Sequence, residues 1–370
     1  MFYQVGNQTF INRYLAVKHA LDTNQEMRFN MHESAFDRVD WSREPDQTWD
    51  QLLDIRAQQI AAKNKPIVLN FTGGTDSYTI FKVFERNNIH IDILFTRLRR
   101  TDIDDQINSG VVDFLNKGIY DKTTKIIRRK DDESVFEAAY SDRDWMWTKH
   151  GVNQQFSVGF AGDSVTDNWL AQELGTDDFI SVNGYDKPSL RFEWHGVYSF
   201  QSDNNMNRAI GNPKLDCFYL SPELPELHVK QSYMLLNYIR SKHPTALPRD
   251  LMAYNDIKNP NKFDWLEYSI AGCGRYGDLA QSPVYHKAWS DLKMTLGPEG
   301  QLIHYGPGSN WYQSVAGKKV LKNYQQGLLD MYNDPVGKYL GMTADDLYKL
   351  NGIPSKLYKL TFPLPSRHRQ

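Results

Sequence analysis

The amino-acid sequence predicts an α/β protein: an open, mostly parallel sheet with helices on both faces, followed by a mainly helical C-terminal part. Short apolar runs alternate with helical patterns up to about residue 200, and this alternation is typical of parallel sheets. Beyond residue 205, prolines separate segments with helical spacing instead. We therefore divide the 370-residue chain into an N-terminal extension packing on the core (1–48), an α/β domain (49–204) and a mainly helical substrate or lid region with a basic tail (205–370).

One β-α-β unit lies near the start of the α/β domain. Apolar residues between Trp49 and Lys63 recur with helical spacing, and the short apolar run Ile67–Phe71 then predicts a buried strand. A helix over Ser77–Asn87 and an alternating strand over Ile89–Phe95 complete the unit. Because a parallel pair of strands joined by a helix takes about 30 residues, this spacing predicts that the two strands pair in parallel.

The remaining elements are predicted from the same two periodicities. They are helices at 102–117, Glu133–Tyr140, Asp163–Leu174 and Glu226–Lys242, strands at Thr124–Arg128 and Phe179–Asn183, and a weak strand at Arg28–His32. The tail Lys359–Gln370, which contains prolines and basic residues, is expected to be loosely attached.

Composition and charge exclude several classes of protein. With 13% aromatic residues the chain is too rich in core-forming side chains for a disordered protein, and a formal charge of −2 gives no overall attraction to nucleic acid. Two cysteines, Cys217 and Cys273, are too few for a four-cysteine zinc site or a disulfide framework, so we expect buried thiols. No apolar run approaches the roughly 20 residues of a membrane span, and we expect a cytoplasmic protein without a membrane partner.

A polar loop with two adjacent glycines, Thr72–Ser77 (Thr-Gly-Gly-Thr-Asp-Ser), joins the first strand of the unit to its helix. Open α/β sheets bind ligands at the carboxyl ends of their strands. Adjacent glycines let the backbone approach an anion, and the N–H groups at a helix start attract phosphate. No lysine follows the glycines, so the loop is not a Walker A motif. The alternative is a plain βα turn in which Ser77 caps the helix.

The segment Leu69–Ser77 resembles the Ser-Gly-Gly-x-Asp-Ser signature of the PP-loop ATP pyrophosphatase superfamily, with Thr72 in place of the first serine. This superfamily has the adenine nucleotide alpha hydrolase-like fold and includes the synthetase domains of asparagine synthetases. The resemblance implies that the chain binds ATP with Mg²⁺ and releases AMP and pyrophosphate. It assigns the nucleotide to Asn70, Thr72, Gly73, Gly74, Thr75, Asp76 and Ser77, with the backbone at Phe95 and Thr96 beside adenine.

A second polar segment follows the predicted strand Phe179–Asn183 and contains Gly184, Asp186 and Lys187. A strand that ends at the same edge of the sheet would place these residues beside the Gly-Gly loop; the alternative is a solvated turn. The segment is similar to the strand–Gly–x–x–Asp region of asparagine synthetase-like domains, although the spacing is shorter here. That similarity assigns the metal to Asp76 and Asp186, the catalytic roles to Asp76, Asp186 and Lys187, and further nucleotide contacts to Gly184 and Arg191.

Looser similarity extends over most of the chain. The segments that are similar to phage-type asparagine synthetase-like proteins are Trp41–Pro45, Asp54–Gln59, Gly184–Pro188, Ser221–Glu226 and Ser355–Tyr358. The similarity implies a carbon–nitrogen ligase that takes a small-molecule substrate and an amine or ammonia donor, in the host cytoplasm for a phage protein. Glutamine-dependent members begin with a catalytic cysteine, whereas Phe2 follows Met1 here. Ammonia is therefore expected to arrive free or from another protein.

Two other functions stay open from the sequence. One is a PP-loop enzyme that modifies a base in tRNA, DNA or a nucleotide, although the net charge does not favour a nucleic-acid partner. The other is a nucleotide-binding protein without catalysis on the same scaffold. The sequence indicates no particular oligomeric state.

Several other patterns are interpreted as structural. The basic clusters Arg97–Arg100 and Arg128–Lys130 are typical of solvated loops, with phosphate binding as the alternative. Gly272–Gly277 matches a dinucleotide motif only in its letters, because no apolar strand precedes it. His32, His195 and His286 are expected to be structural or exposed.

Overall fold

The structure, a computed structural model, describes residues 1–71, 75–98, 125–130, 159–184, 188–201, 203, 209–255 and 354–362. The predicted helices at 102–117 and Glu133–Tyr140 lie outside these residues, as does most of the predicted helical region after residue 255. In chain order the described elements are β1 (Phe2–Val5), β2 (Gln8–Phe10), α1 (Arg13–Thr23), β3 (Met27–Asn30), α2 (Glu33–Phe36), α3 (Trp49–Ala61), β4 (Ile67–Asn70), α4 (Thr75–Arg86), β5 (Ile93–Leu98), β6 (Lys125–Lys130), α5 (Gly159–Leu174), β7 (Ile180–Asn183), β8 (Ser189–Glu193), β9 (Gly196–Phe200), β10 (Leu215–Cys217), α6 (Pro225–Lys242), a 3-10 helix (Pro248–Asn255) and β11 (Tyr358–Leu360).

A five-stranded parallel sheet with the strand order β10-β7-β4-β5-β6 lies at the centre of the fold. It confirms the predicted α/β class with a parallel sheet. β4 and β5 are paired in parallel, as the predicted β-α-β unit requires, and Asn70 lies level with Phe95. β10 joins this sheet from beyond residue 204, so the sheet reaches further along the chain than the predicted domain boundary.

Helices pack against both faces of the parallel sheet because its central strand is apolar on both sides. Ile67 and Leu69 of β4 lie in one core with buried residues of α3 and α4. Val68, whose side chain points the opposite way, lies in a second core with Leu170 of α5. The central strand is therefore buried on both faces, as the apolar run Ile67–Phe71 predicts.

Two small antiparallel sheets, with the orders β2-β1-β3 and β11-β9-β8, accompany the parallel sheet. Their buried residues share one apolar core with α6; Phe29, Phe192 and Leu236 are examples. Of their strands, only β3 overlaps a strand predicted from the sequence.

The prediction of a loosely attached tail is wrong for residues 359–362, since β11 pairs with β9 and Leu360 is 2% exposed.

Cys217, at the end of β10, is a buried free thiol, as predicted, whereas Cys273 lies outside the described residues. Among the helices that the structure describes, none contains a segment long and apolar enough to cross a membrane.

His228, in α6, is fully buried among aromatic side chains. Its ring centroid lies 5.6 Å from that of Phe36 and 6.1 Å from that of Trp41. Burial disfavours the charged imidazolium and lowers the pKa of His228 to about 3. The folded protein therefore keeps this ring neutral at pH values where an exposed histidine is protonated.

Replacing His228 by phenylalanine is expected to make the free energy of unfolding less sensitive to acid. The unfolded chain binds a proton at this residue near the ordinary pKa of about 6.5, whereas the folded chain binds it only near about 3. Stability is therefore lost as the pH falls between these values, by about 2 kcal/mol from pH 7 to pH 5. Urea unfolding of both proteins at the two pH values measures the difference. Equal losses in the wild type and the variant would mean that folded His228 accepts a proton.

Candidate functional site

The strand order predicts a ligand-binding crevice at one edge of the parallel sheet. From β4 the chain adds β5 and β6 on one side, and then β7 and β10 on the other side. The direction of winding thus reverses between β4 and β7, and open α/β sheets bind ligands at the carboxyl edge of such a reversal. The Gly-Gly loop follows β4 and the segment 184–187 follows β7. Both sequence-predicted segments therefore leave strands that border the crevice.

Gly184 lies directly against the first turn of α4. A Cβ atom added to Gly184 would lie 3.0 Å from Cβ of Asp76, 3.1 Å from the carbonyl carbon of Asp76 and 3.2 Å from Cδ1 of Ile80. These distances leave no room for a side chain without a shift of the helix backbone. The end of β7 and the start of α4 therefore meet at Gly184 and Asp76, two residues that the sequence placed in one site.

Tyr219 holds the same turn from another side. Its hydroxyl donates a hydrogen bond of 2.9 Å to the backbone carbonyl oxygen of Asp76, and its side chain is buried. The Tyr219 ring stacks on Trp49 of α3, with centroids 6.0 Å apart and planes 8° from parallel. The sequence does not predict Tyr219 as part of the site, because Tyr219 follows β10, a strand of only three residues without an apolar run.

Asn70 links the two strands that border the crevice. Its side-chain amide donates to the hydroxyl of Ser181 at 2.8 Å and to the backbone carbonyl of Val182 at 3.2 Å. Both partners belong to β7. The structure therefore places Asn70 at the predicted site, with its amide group bonded to the neighbouring strand.

The helix after the Gly-Gly loop begins earlier than the sequence predicted. α4 starts at Thr75, so Ser77 lies within the first turn, and the prediction that Ser77 is the N-cap is wrong. Ser77 is buried, with 4% of its surface exposed. Asp76 also lies in this first turn, where the partial positive charge of the helix end favours an acidic side chain.

Phe95 and Thr96 lie inside β5 rather than after it, since this strand continues to Leu98. The carbonyl oxygen of Phe95 accepts a 2.8 Å hydrogen bond from the backbone N–H of Phe71, and the Phe95 ring is buried near Trp169. The backbone at Phe95 and Thr96 is thus level with the start of the Gly-Gly loop.

Arg191 lies in β8, one of the strands of the small antiparallel sheet. Its Nε atom forms an ion pair with Oε1 of Glu193 at 3.0 Å, and about half of its side chain is exposed.

Some of the predicted site residues lie outside the described part of the chain: Thr72, Gly73, Gly74, Asp186, Lys187 and the side chain of Thr75. The roles predicted for them stay predictions.

The contact at Gly184 leads to a prediction about both stability and binding. Gly184→Ala is expected to displace the first turn of α4 by a few tenths of an ångström and to cost about 1–3 kcal/mol of folding free energy. Gly196→Ala is the matched control, because its Cβ would meet the flexible Cε atom of Lys359 at 3.2 Å rather than backbone. Thermal unfolding compares the stabilities of the two variants, and calorimetric titration compares the ATP affinity of Gly184→Ala with that of the wild type. Equal behaviour of the two variants would contradict a tight contact between β7 and α4.

No protein-family model, no curated protein and no solved structure matches this chain significantly. Its function therefore has to be inferred from the residues and the geometry of the site.

Proposed function

We propose that this chain is an ATP-dependent carbon–nitrogen ligase of the PP-loop kind, with an adenine nucleotide alpha hydrolase-like domain, that releases AMP and pyrophosphate. The observation that carries the proposal is the meeting of Gly184 with Asp76 at the point where the sheet reverses its winding. A glycine is required there because backbone from the end of β7 reaches the first turn of α4. The N–H groups at such a helix start suit an extended anion such as a triphosphate.

The residues around this contact fit ATP and Mg²⁺. The first-turn N–H groups of α4, with the hydroxyl groups of Thr72, Thr75 and Ser77, would hold the β- and γ-phosphates. Among the described residues no three metal-binding side chains cluster, but nucleotide-bound Mg²⁺ needs only one or two carboxylates beside phosphate oxygens and water. Asp76 would supply one of these carboxylates and Asp186 the other.

The remaining predicted residues have positioning roles in this proposal. Lys187 would stabilise the negative charge that develops on departing pyrophosphate, a role in which positioned cations contribute strongly. The backbone of β5 at Phe95 and Thr96 would border adenine, and Arg191 would face the phosphates only by leaving its pair with Glu193. Tyr219 and Asn70 would hold α4 and β7 in place around the nucleotide through their hydrogen bonds.

When bound, ATP supplies an AMP group to a substrate oxygen with release of pyrophosphate, and an amine then displaces the AMP. The protein's task in this reaction is to align the phosphates and to exclude water from the activated substrate. The protein needs no nucleophilic side chain of its own for this reaction. This fits a site built from glycines, hydroxyl groups and carboxylates.

The test is an assay of the purified chain with ATP, Mg²⁺, ammonium and fractions of a metabolite pool rich in carboxylates and amides. The expected result is AMP and pyrophosphate in equal amounts with one active fraction. Release of ADP and phosphate would contradict the pyrophosphate-forming reaction. ATP binding without turnover in any fraction would favour the alternative of a non-catalytic nucleotide-binding protein.

A further inference from the structure

A pocket of about 560 Å³ lies on the small antiparallel sheet, apart from the crevice between β4 and β7. It is bounded by the turn between β8 and β9, by the end of β11 and by the start of the 3-10 helix. β8 begins just after the 184–187 segment and reaches the turn five residues later. At about 3.3 Å per residue, the pocket lies about 17 Å along the strand from the candidate ATP site.

The charge of this pocket is positive. Arg249, Lys359 and His195 line it, and none of its lining residues in the described part of the chain is acidic. Lys359 extends across Gly196: a Cβ atom on that glycine would lie 3.2 Å from Cε of Lys359. The glycine therefore leaves the space that the lysine side chain occupies. Asp250 lies 3.7 Å from Nε of Arg249 but does not line the pocket.

An exposed aromatic ring stands beside these cations. Trp194, the first residue of the turn, has 63% of its surface exposed. The guanidinium carbon of Arg249 lies 5.9 Å from the centroid of its ring, a distance at which a cation and an aromatic face attract each other. Phe362, Leu247 and Pro248 supply further apolar lining. A single exposed tryptophan needs no explanation, but one at the mouth of a cationic pocket offers a stacking surface next to anion ligands.

The combination selects a ligand that is both flat and anionic. An inorganic anion would make no use of the indole and the apolar lining, and a neutral aromatic molecule would make no use of the positive charges of Lys359 and Arg249. Ser42 and Thr361 add hydroxyl groups to the lining. The volume lies in the range of about 300–1,000 Å³ that is usual for small-ligand sites.

We propose that this pocket binds a nucleotide unit, with the base stacked on Trp194 and the phosphate held by Lys359 and Arg249. Stacking on aromatic side chains combined with cations along the backbone is the usual way in which proteins hold single-stranded nucleic acid. The unit belongs either to a free mononucleotide or to a single strand. The pocket is distinct from the candidate ATP site, because none of the residues that line it is among those assigned to ATP.

The test is fluorescence anisotropy of labelled oligothymidylate and oligoadenylate of about 12 nucleotides, a length within the range held by single-strand-binding modules. AMP competes in a second arm. Mg²⁺ is left out because the candidate ATP site is proposed to need it, and the substitutions in the pocket show whether the binding belongs there. We expect Trp194→Ala to weaken binding about tenfold and Trp194→Phe to retain most of it.

The salt dependence of binding tests whether Lys359 contacts a phosphate, because a purely structural role of Lys359 would not change that dependence. Lys359→Ala is expected to weaken binding and to reduce the slope of log affinity against log salt by about 0.7, the contribution of one phosphate contact in a single strand. Lys356→Ala is the matched control, since Lys356 pairs with Asp37 at 2.8 Å and does not line the pocket. It should leave both affinity and slope unchanged.

Each outcome decides a point. Strong binding of the oligonucleotides with weak competition by AMP would assign the pocket to a single strand. An affinity for AMP equal to the affinity for the oligonucleotide, counted per nucleotide, would assign it to the mononucleotide. Absence of binding at low salt in every arm would overturn the proposal. So would binding that is unaffected by both Trp194→Ala and Lys359→Ala.

Discussion

Asp76→Asn is expected to reduce the rate of pyrophosphate release from ATP by on the order of 100-fold, the loss that follows removal of one preorganised group from developing charge. Asparagine keeps the shape of the side chain but lacks the negative charge that would attract Mg²⁺. The backbone carbonyl of residue 76 would still accept the hydrogen bond from Tyr219. The fold around α4 is therefore expected to survive the substitution, so that the loss reports on the metal.

The dependence on Mg²⁺ makes this experiment specific. With one carboxylate fewer, the variant should need a higher Mg²⁺ concentration for half of its residual rate. Asp22→Asn, on an exposed part of α1, is the matched control and should behave as the wild type. Full activity of Asp76→Asn with an unchanged Mg²⁺ requirement would refute the metal assignment.

Arg56→Met is expected to destabilise the fold by about 3 kcal/mol, because removing one partner leaves a buried charge without compensation. Arg56 in α3 is 1% exposed and pairs with Asp216 of β10, whose side chain is 10% exposed. It also bonds Glu223 at 2.9 Å. Lys63 lies 3.1 Å from Asp216 and compensates part of the loss. The pair thus ties a helix on one face of the parallel sheet to the edge strand β10.

A double-mutant cycle isolates this pair. Asp216→Asn added to Arg56→Met removes the second charge, and we expect the double variant to be more stable than the sum of the two single losses implies. Arg28→Met is the control, since its pair with Glu26 is 72% exposed on both sides and such pairs contribute little. Thermal unfolding of the four proteins supplies the data. Additive losses would show that Arg56 contributes to stability independently of Asp216.

Sequence periodicity predicted those elements whose apolar pattern is local. In these elements the spacing of apolar residues in the sequence matches the spacing of buried side chains in the structure. Examples are the helices Trp49–Ala61 and Pro225–Lys242 and the strands β4 and β7. β10 could not be predicted in this way. Its three residues are Leu-Asp-Cys, and the aspartate is explained by Arg56, 160 residues away in the sequence.

In the small sheet β11-β9-β8, β11 and β9 are far apart in the sequence, whereas β8 and β9 are adjacent. β8 and β9 are joined by a Trp-His turn, which lacks the glycine or asparagine that signals a tight hairpin. For the candidate site, the same-edge argument correctly brought Gly184 beside Asp76. The same argument could not predict Tyr219, because its hydroxyl donates to a carbonyl 143 residues away and no local sequence pattern indicates that bond.

The pairing of β11 with β9 bears on how the protein is synthesised. Ser355 and Gln201, which bond to each other beside these strands, are 154 residues apart. At about 5–20 residues per second, a ribosome needs roughly 8–30 s to make the intervening chain. During that interval one edge of β9 has no partner and is open to pairing with other chains, whereas the described strands of the parallel sheet are already complete. We therefore expect the parallel sheet to assemble first on the ribosome and the small sheet to close last.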